Sequence, residues 1–193
     1  MALSNESKIV SAFSLTHTPG LGDRLDECPP RQLDALTSAF DRLKQDVEQA
    51  KPDLMIAIIN DHFDMHVLEN LPTFAVGVSD THWGPTKDAE RWLQQERRAI
   101  PGNPDYSRAI LCEGIRANFD LTRLGSCDFN HNVLIPKKFI WPDLDIPVVP
   151  VFVNCFMEPL PSWRRCCELG LLLRNVIEGR PERVAIFASG GIS

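Results

Sequence analysis

Apolar residues along the chain fall into two alternating patterns. Ile9-Val10-Ser11-Ala12-Phe13-Ser14-Leu15 reads as a first strand, and the continuous run from Leu54 to Ile59 as a strand covered on both faces. Between them Leu33, Leu36, Phe40, Leu43 and Val47 recur at helical spacing, which predicts an amphipathic helix over about residues 31–50, ended by Lys51-Pro52-Asp53. Phe74-Ala75-Val76-Gly77-Val78 predicts another short strand. Residues 86–104 are polar and irregular, with room for a helix from Ala89 to Arg98. A helix over about residues 105–118 is expected to carry Ile110 and Ile115 on one face, and Leu121-Thr122-Arg123-Leu124 is a weak strand. The run from Ile146 to Val153 is a stronger strand, whose prolines argue for a strand start or a sheet edge. Residues 161–178 read as a helix starting at or just after Pro161, and Arg183 to Ala188 as a last strand.

This β-α-β alternation predicts an α/β fold: a mostly parallel or mixed central sheet flanked by helices on both faces, in a single domain over residues 1–193. In such sheets ligands bind outside the carboxyl ends of the strands. Net charge is −6, so a nucleic-acid partner is not expected, and an anionic substrate would need a local basic site. No apolar run reaches membrane-spanning length, and the first residues lack a basic segment followed by an apolar one, so a cytoplasmic location with no membrane partner is expected. None of the six cysteines forms a C-x-x-C pair, which argues against a cysteine zinc site; Cys166 and Cys167 read as core or boundary thiols.

Chemistry is therefore sought at the strand ends. The first strand is followed by Thr16-His17-Thr18-Pro19-Gly20, and the second by Asn60-Asp61-His62-Phe63-Asp64. The weak strand at 121–124 leads through Gly125-Ser126-Cys127-Asp128-Phe129-Asn130 to His131. The strand at 146–153 ends in Asn154-Cys155, and the last in Ser189-Gly190-Gly191-Ile192-Ser193. Three of the five histidines thus lie just past strand ends. Imidazole ligates iron, zinc, copper and nickel, and two histidines with one carboxylate leave positions open on Fe(II) for substrate and dioxygen. His17 and His62 are the natural pair, each held by a core strand, while His131, on a longer loop, suits proton transfer. The pattern alone leaves open that His17 caps a turn before Pro19, that His62 is structural beside Asp61, and that His131 is a solvated loop residue. His66 lies four residues after His62 without the glutamate of H-E-x-x-H, and His66 and His82 are expected at the surface or the pocket rim.

Taken in order, these segments resemble the class III extradiol ring-cleavage dioxygenases, specifically the family of the protocatechuate 4,5-dioxygenase catalytic subunit. The matching pieces are Thr16-His17-Thr18-Pro19, Asn60-Asp61-His62-Phe63-Asp64-Met65, the segment from Leu71 to Gly77, Trp83-Gly84-Pro85, Asp128-Phe129-Asn130-His131, the segment from Pro147 to Asn154, and Ser189-Gly190-Gly191-Ile192-Ser193. The resemblance implies Fe(II) held by His17 and His62, and His131 as the catalytic group that handles the substrate hydroxyls or the proton. Asn60, Asp61, Asn154 and Ser193 are expected to touch substrate or support the ligands from behind. The implied reaction is extradiol opening of a catechol-type ring by O₂, in aromatic compound degradation.

Two departures from the family pattern stand out. The family usually has Asp-His-Gly around the mid-chain histidine, where this chain has Asn130-His131-Asn132; Asn132 is expected to keep a left-handed turn, and Asn130 to alter the tuning of His131. The family's next histidine and its glutamate ligand lie beyond the position of Ser193, so these residues are expected to form a catalytic domain incomplete at its C-terminus and inactive alone. Asp61, Asp64 and Asp128 are alternative carboxylate ligands, though a carboxylate that orients a histidine is the commoner arrangement. A non-catalytic subunit of the same fold and a zinc hydrolase are the competing functions. Phe63, Trp83, Trp92, Phe129 and Phe156 are candidates for an aromatic pocket, Lys137, Lys138 and Arg123 for a substrate carboxylate. Assembly as a homo-oligomer, or with a small second subunit, is expected from the family.

Overall fold

The structure is a computed structural model that describes residues 8–143 and 145–190. Strand β1 (Ile9–Leu15) leads through a short helix α1 (Gly20–Asp23) into α2 (Pro30–Ala50). Proline is tolerated at the first turn of α2, where its missing N–H has no intrahelical partner to lose. Lys51 ends the helix in the left-handed conformation, and Arg183 donates a 2.7 Å hydrogen bond to the Ala50 carbonyl. Then come β2 (Leu54–Ile59), β3 (Phe74–Gly77), β4 (Thr81–Gly84), α3 (Glu90–Leu93), β5 (Arg98–Pro101), α4 (Pro104–Arg116) and β6 (Thr122–Leu124). The chain continues with α5 (His131–Ile140), β7 (Val148–Val153), α6 (Trp163–Glu178) and β8 (Val184–Ser189).

Six strands form one sheet in the order β1-β8-β2-β7-β3-β6. The first four are mutually parallel, β3 runs antiparallel to β7, and β6 is parallel to β3. The expected mixed, mostly parallel sheet is therefore present, with the carboxyl ends of β1, β8, β2 and β7 along one edge. Alternate residues of β2 enter two cores. Met55, Ala57 and Ile59 pack with α2 and α5, while Leu54 and Ile56 pack with α4 and α6. This two-sided burial is why β2 is a continuous apolar run. Among the described residues no helix is long and apolar enough to cross a membrane.

Several expectations are corrected. Pro150 lies in an interior strand, not at a sheet edge. The β3 ladder meets β7 only over Val151–Val153, and the Pro150 ring packs over Gly77, where a Cβ would come within 2.6 Å of Cγ. Ile115 is 69% exposed. The buried stripe of α4 runs through Tyr106, Ser107, Ile110 and Gly114, and a Cβ on Gly114 would meet the Phe119 carbonyl at 2.8 Å. The helix expected from Ala89 to Arg98 shrinks to one turn, because Gln94 turns left-handed and Arg98–Pro101 pairs with Thr81–Gly84 as a two-stranded ribbon. Residues 131–140, assigned to no element from the sequence, are helical. That helix is buried on almost every side and holds Pro136 in its interior, so it shows neither a polar stripe nor the usual composition.

His66 and His82 are buried rather than at the surface. The His82 Nδ1 accepts a 3.0 Å hydrogen bond from the Cys127 backbone, tying the ribbon to the loop before α5. Burial lowers the His82 pKa from 6.5 to about 4, with Asp80 opposing. The unfolded chain binds this proton below pH 6.5 and the folded chain does not, so the stability is present above that pH and lost as pH falls toward 4. At about 1.4 kcal/mol per unit the loss approaches about 3 kcal/mol. Urea denaturation at pH 7 and pH 4.5 should show it. His82→Asn, which retains an acceptor for Cys127, should be weaker at pH 7 and less sensitive to pH; an unchanged slope would assign the effect to other groups.

Candidate metal centre

Three strand-end segments bring His17, His62 and His131 together. His17 leaves β1 in a tight turn, with Thr16 and Thr18 hydroxyls hydrogen-bonded at 2.8 Å. Parallel pairing sets Leu15 opposite Ser189, and the Ser189 hydroxyl lies 2.8 Å from His17 Nδ1. His62 follows β2 on a loop closed by Asp61, whose Oδ2 accepts from the backbone of His66 at 2.9 Å and of Met65 at 3.4 Å. The Asn60 amide lies 3.2 Å from His62 Nε2. His131 opens α5 rather than sitting in a loop, and Asn130 caps that helix by accepting from the His131 backbone at 2.8 Å.

The ring centroids are 4.9 Å apart for His17 and His62, 5.0 Å for His17 and His131, and 4.1 Å for His62 and His131. One donor nitrogen from each lies within 4.8 Å of the others. Desolvation, reinforced by His62, lowers His17 to about 4; desolvation, with His62 and His17 beside it, lowers His131 to about 3. His62 is lowered by burial against the opposing pull of Asp64 and Asp61. All three rings are therefore neutral near pH 7, with lone pairs available. His62 Nδ1 is buried without a partner, and the hydrogen bond to Ser189 at His17 Nδ1 leaves its Nε2 free. Three neutral imidazoles, one with an orphaned buried nitrogen, fit a divalent transition metal.

No carboxylate or thiol joins this cluster among the described residues. Asp61 holds its own turn, Asp64 Oδ1 accepts from Asn130 Nδ2 at 2.9 Å, and Asp128 pairs with Arg97 at 2.6 Å. His66 stands outside the cluster, against Phe152, because residues 62–66 are not helical. Asn154 shapes its own loop, accepting at 3.2 Å from Phe156 and Met157. That loop sets the Phe156 ring 5.4 Å from His62, and the Trp92 ring lies 5.4 Å from His131. Phe129 is core, Phe63 is exposed against Phe156, and Trp83 is partnered by Arg97. Lys137 donates to the Trp141 carbonyl and Lys138 to that of Gly22, while Arg123 lies exposed on β6, so none of the three lines the histidine cavity. That open cavity, about 1100 Å³, covers His17 and His62 and is walled by Leu15, Ile58, Phe156 and Trp163. Ser193 lies outside the described residues.

Two contributors have roles that were not expected from the sequence. Ser189 touches His17 only because β8 lies beside β1, an order that no local pattern encodes. Asn132, expected in a left-handed turn, is helical, and its Nδ2 donates to the Asn60 carbonyl at 2.8 Å.

A protein-family model described as the catalytic LigB subunit of aromatic ring-opening dioxygenase matches residues 11–193. Among similar proteins, one from Photorhabdus laumondii is 27% identical over 188 residues, covering 95% of this chain and 56% of its own length. One from Mycolicibacterium paratuberculosis is 29% identical over 169 residues (83% and 50%), and one from Klebsiella pneumoniae is 28% identical over 182 residues (93% and 54%). All three are named 2,3-dihydroxyphenylpropionate/2,3-dihydroxicinnamic acid 1,2-dioxygenase. The chain spans about half the length of the curated relatives it matches.

Removing the hydroxyl that orients His17 should weaken metal binding. Ser189→Ala is expected to raise the dissociation constant for Co(II) by about tenfold, the range typical of groups that orient a histidine ligand. Titration of the visible Co(II) bands against wild type checks this, and equal affinities would leave Ser189 as a packing residue.

Proposed function

This chain belongs to the family of catalytic LigB subunits of aromatic ring-opening dioxygenases, and from that premise we propose that it serves the extradiol cleavage of a catechol-type ring by O₂, with Fe(II) held by His17 and His62. The observation that carries the reading is the convergence of three neutral imidazoles at the carboxyl edge of the sheet, with donors within 4.8 Å. The three relatives named as dioxygenases favour iron over zinc. Their printed substrate, a 2,3-dihydroxyphenyl acid, makes that compound the first to try.

Bound Fe(II) would supply the electron transfer that lets O₂ react with the ring. The chain's own residues do the rest. Ser189 holds the His17 ring in one orientation, and Asn60 does the same for His62. His131, neutral and nearly enclosed, is an acceptor for a proton from a substrate hydroxyl and a donor once protonated. The rings of Trp92 and Phe156 flank His131 and His62. We place the activity in the cytoplasm, in keeping with six free thiols. Exposed Met157, Leu160 and Trp163 beside the cavity suit assembly with a further subunit.

One observation favours a second reading, a non-catalytic subunit of the same fold: no carboxylate completes the ligand set among the described residues. The protein expressed through its full reading frame and loaded anaerobically with Fe(II) separates the two. Catechol, protocatechuate, gallate and 2,3-dihydroxyphenylpropionate are then offered with O₂. The proposal expects oxygen uptake matched by a yellow ring-opened product. His17→Ala and His62→Ala should lose both iron and turnover. His131→Ala should keep iron and lose about 10²–10⁴ in kcat. Failure to take up iron, with no turnover of any of the four, would favour the non-catalytic subunit.

A further inference from the structure

The two asparagines beside His131 each reach the loop that carries His62. Asn130 Nδ2 donates to Asp64 Oδ1 at 2.9 Å, and Asn132 Nδ2 donates to the Asn60 carbonyl at 2.8 Å. Asp64 stands two residues after His62 and Asn60 two residues before it. The neighbours of one histidine thus grip the loop of the other on both sides. The grip is braced internally, since Asn132 Oδ1 accepts from the Asn130 backbone at 3.2 Å, and Asn130 Oδ1 accepts from the His131 backbone at 2.8 Å. Asn60, Asn130, Asn132 and His131 are each 9% exposed or less. Water therefore competes poorly for the Asn132–Asn60 bond, which is costly to leave unmade, whereas Asp64, the acceptor of the other bond, is exposed.

From this geometry we propose that Asn130 and Asn132 are positioning residues: a two-point bracket that holds the His131 ring and the His62 ring in fixed relation across β2 and α5. The inference rests on the reading of His62 as a metal ligand and His131 as the proton-handling group. The separation of the two rings, 4.1 Å between centroids, is the quantity the bracket sets. Neither residue touches the imidazole donors of the other loop directly. Each acts through the backbone or carboxylate that anchors the His62 loop. Amides suit this task because each offers a donor and an acceptor without charge.

The test isolates each point of the bracket. Asn130→Ser keeps an uncharged side-chain oxygen able to cap α5 and is too short to reach Asp64. Asn132→Ala stays compatible with the helix and removes the donor to Asn60. Asn103→Ala serves as a control, because it deletes the 3.0 Å cap bond to Tyr106 at the start of α4, on the opposite face of the sheet. Two measurements are made on the full-length protein: the Co(II) dissociation constant, and amide hydrogen exchange of residues 60–66 without metal. Each bracket variant should bind Co(II) about tenfold more weakly. Exchange over 60–66 should rise about tenfold, and the double variant should lose more than the two single losses combined, since either point partly holds the loop alone. Asn103→Ala should lower the urea midpoint and leave both readouts at wild-type values.

Wild-type exchange over 60–66 in both bracket variants, or equal changes in Asn103→Ala, would overturn the proposal. If wild type binds no Co(II), the metal reading fails, and exchange still decides the bracket. If Co(II) binding responds as expected and the iron-loaded protein turns over no catechol, the bracket stands and the proposed reaction falls.

Discussion

Parallel pairing of β1, β8, β2 and β7 is the constraint on which the rest of the molecule depends. It places four strand ends on one edge, and with them His17, His62 and Ser189. A one-residue slip of β8 against β1 would turn the Ser189 side chain to the other face and strip His17 of its partner. The slip is resisted by the core itself. Ala185 and Phe187 of β8 face one cluster and Val184 the other, so a shifted register would exchange the two apolar sets. Packing far from the histidines is thus what aligns them.

The site is held open electrostatically by what surrounds it. Three imidazoles within about 5 Å of one another stay neutral, because burial penalises a charge on each, and at His62 it outweighs the pull of Asp64 and Asp61. Carboxylates stand close but are occupied: Asp61 by backbone donors and Asp64 by the Asn130 amide. The asparagines at 60, 130 and 132 let loops from two elements be joined without adding charge to the site. His82 lies apart from this cluster: it accepts from the Cys127 backbone and packs against Phe129.

Much of the fold was legible in the chain. β1 and β2 coincide with the apolar runs that predicted them, and α2 with the helical spacing from Leu33 to Val47, because each buries its side chains in a regular period. The elements that escaped notice lack such a period. α5 is enclosed on nearly all sides and carries Pro136, and the β4–β5 ribbon is only four residues deep with one buried side chain on β5. The histidines at 17, 62 and 131 were legible as strand-end residues in a family-like order, whereas His66 and His82 looked polar and proved buried.

By itself the sequence determined the two kinds of periodicity, hence the α/β class, and the residue types that converge on the site. Strand-end position and ordered motifs together named His17, His62 and His131. Only the tertiary structure decided which strands are neighbours, and so that Ser189 meets His17 and that Asn130 and Asn132 reach Asp64 and Asn60. The reason is physical: a periodic pattern records which face of an element avoids water, while a hydrogen bond between residues 72 positions apart, as between Asn132 and Asn60, depends on the order of strands and the docking of α5. These the chain specifies only through the packing of the whole core.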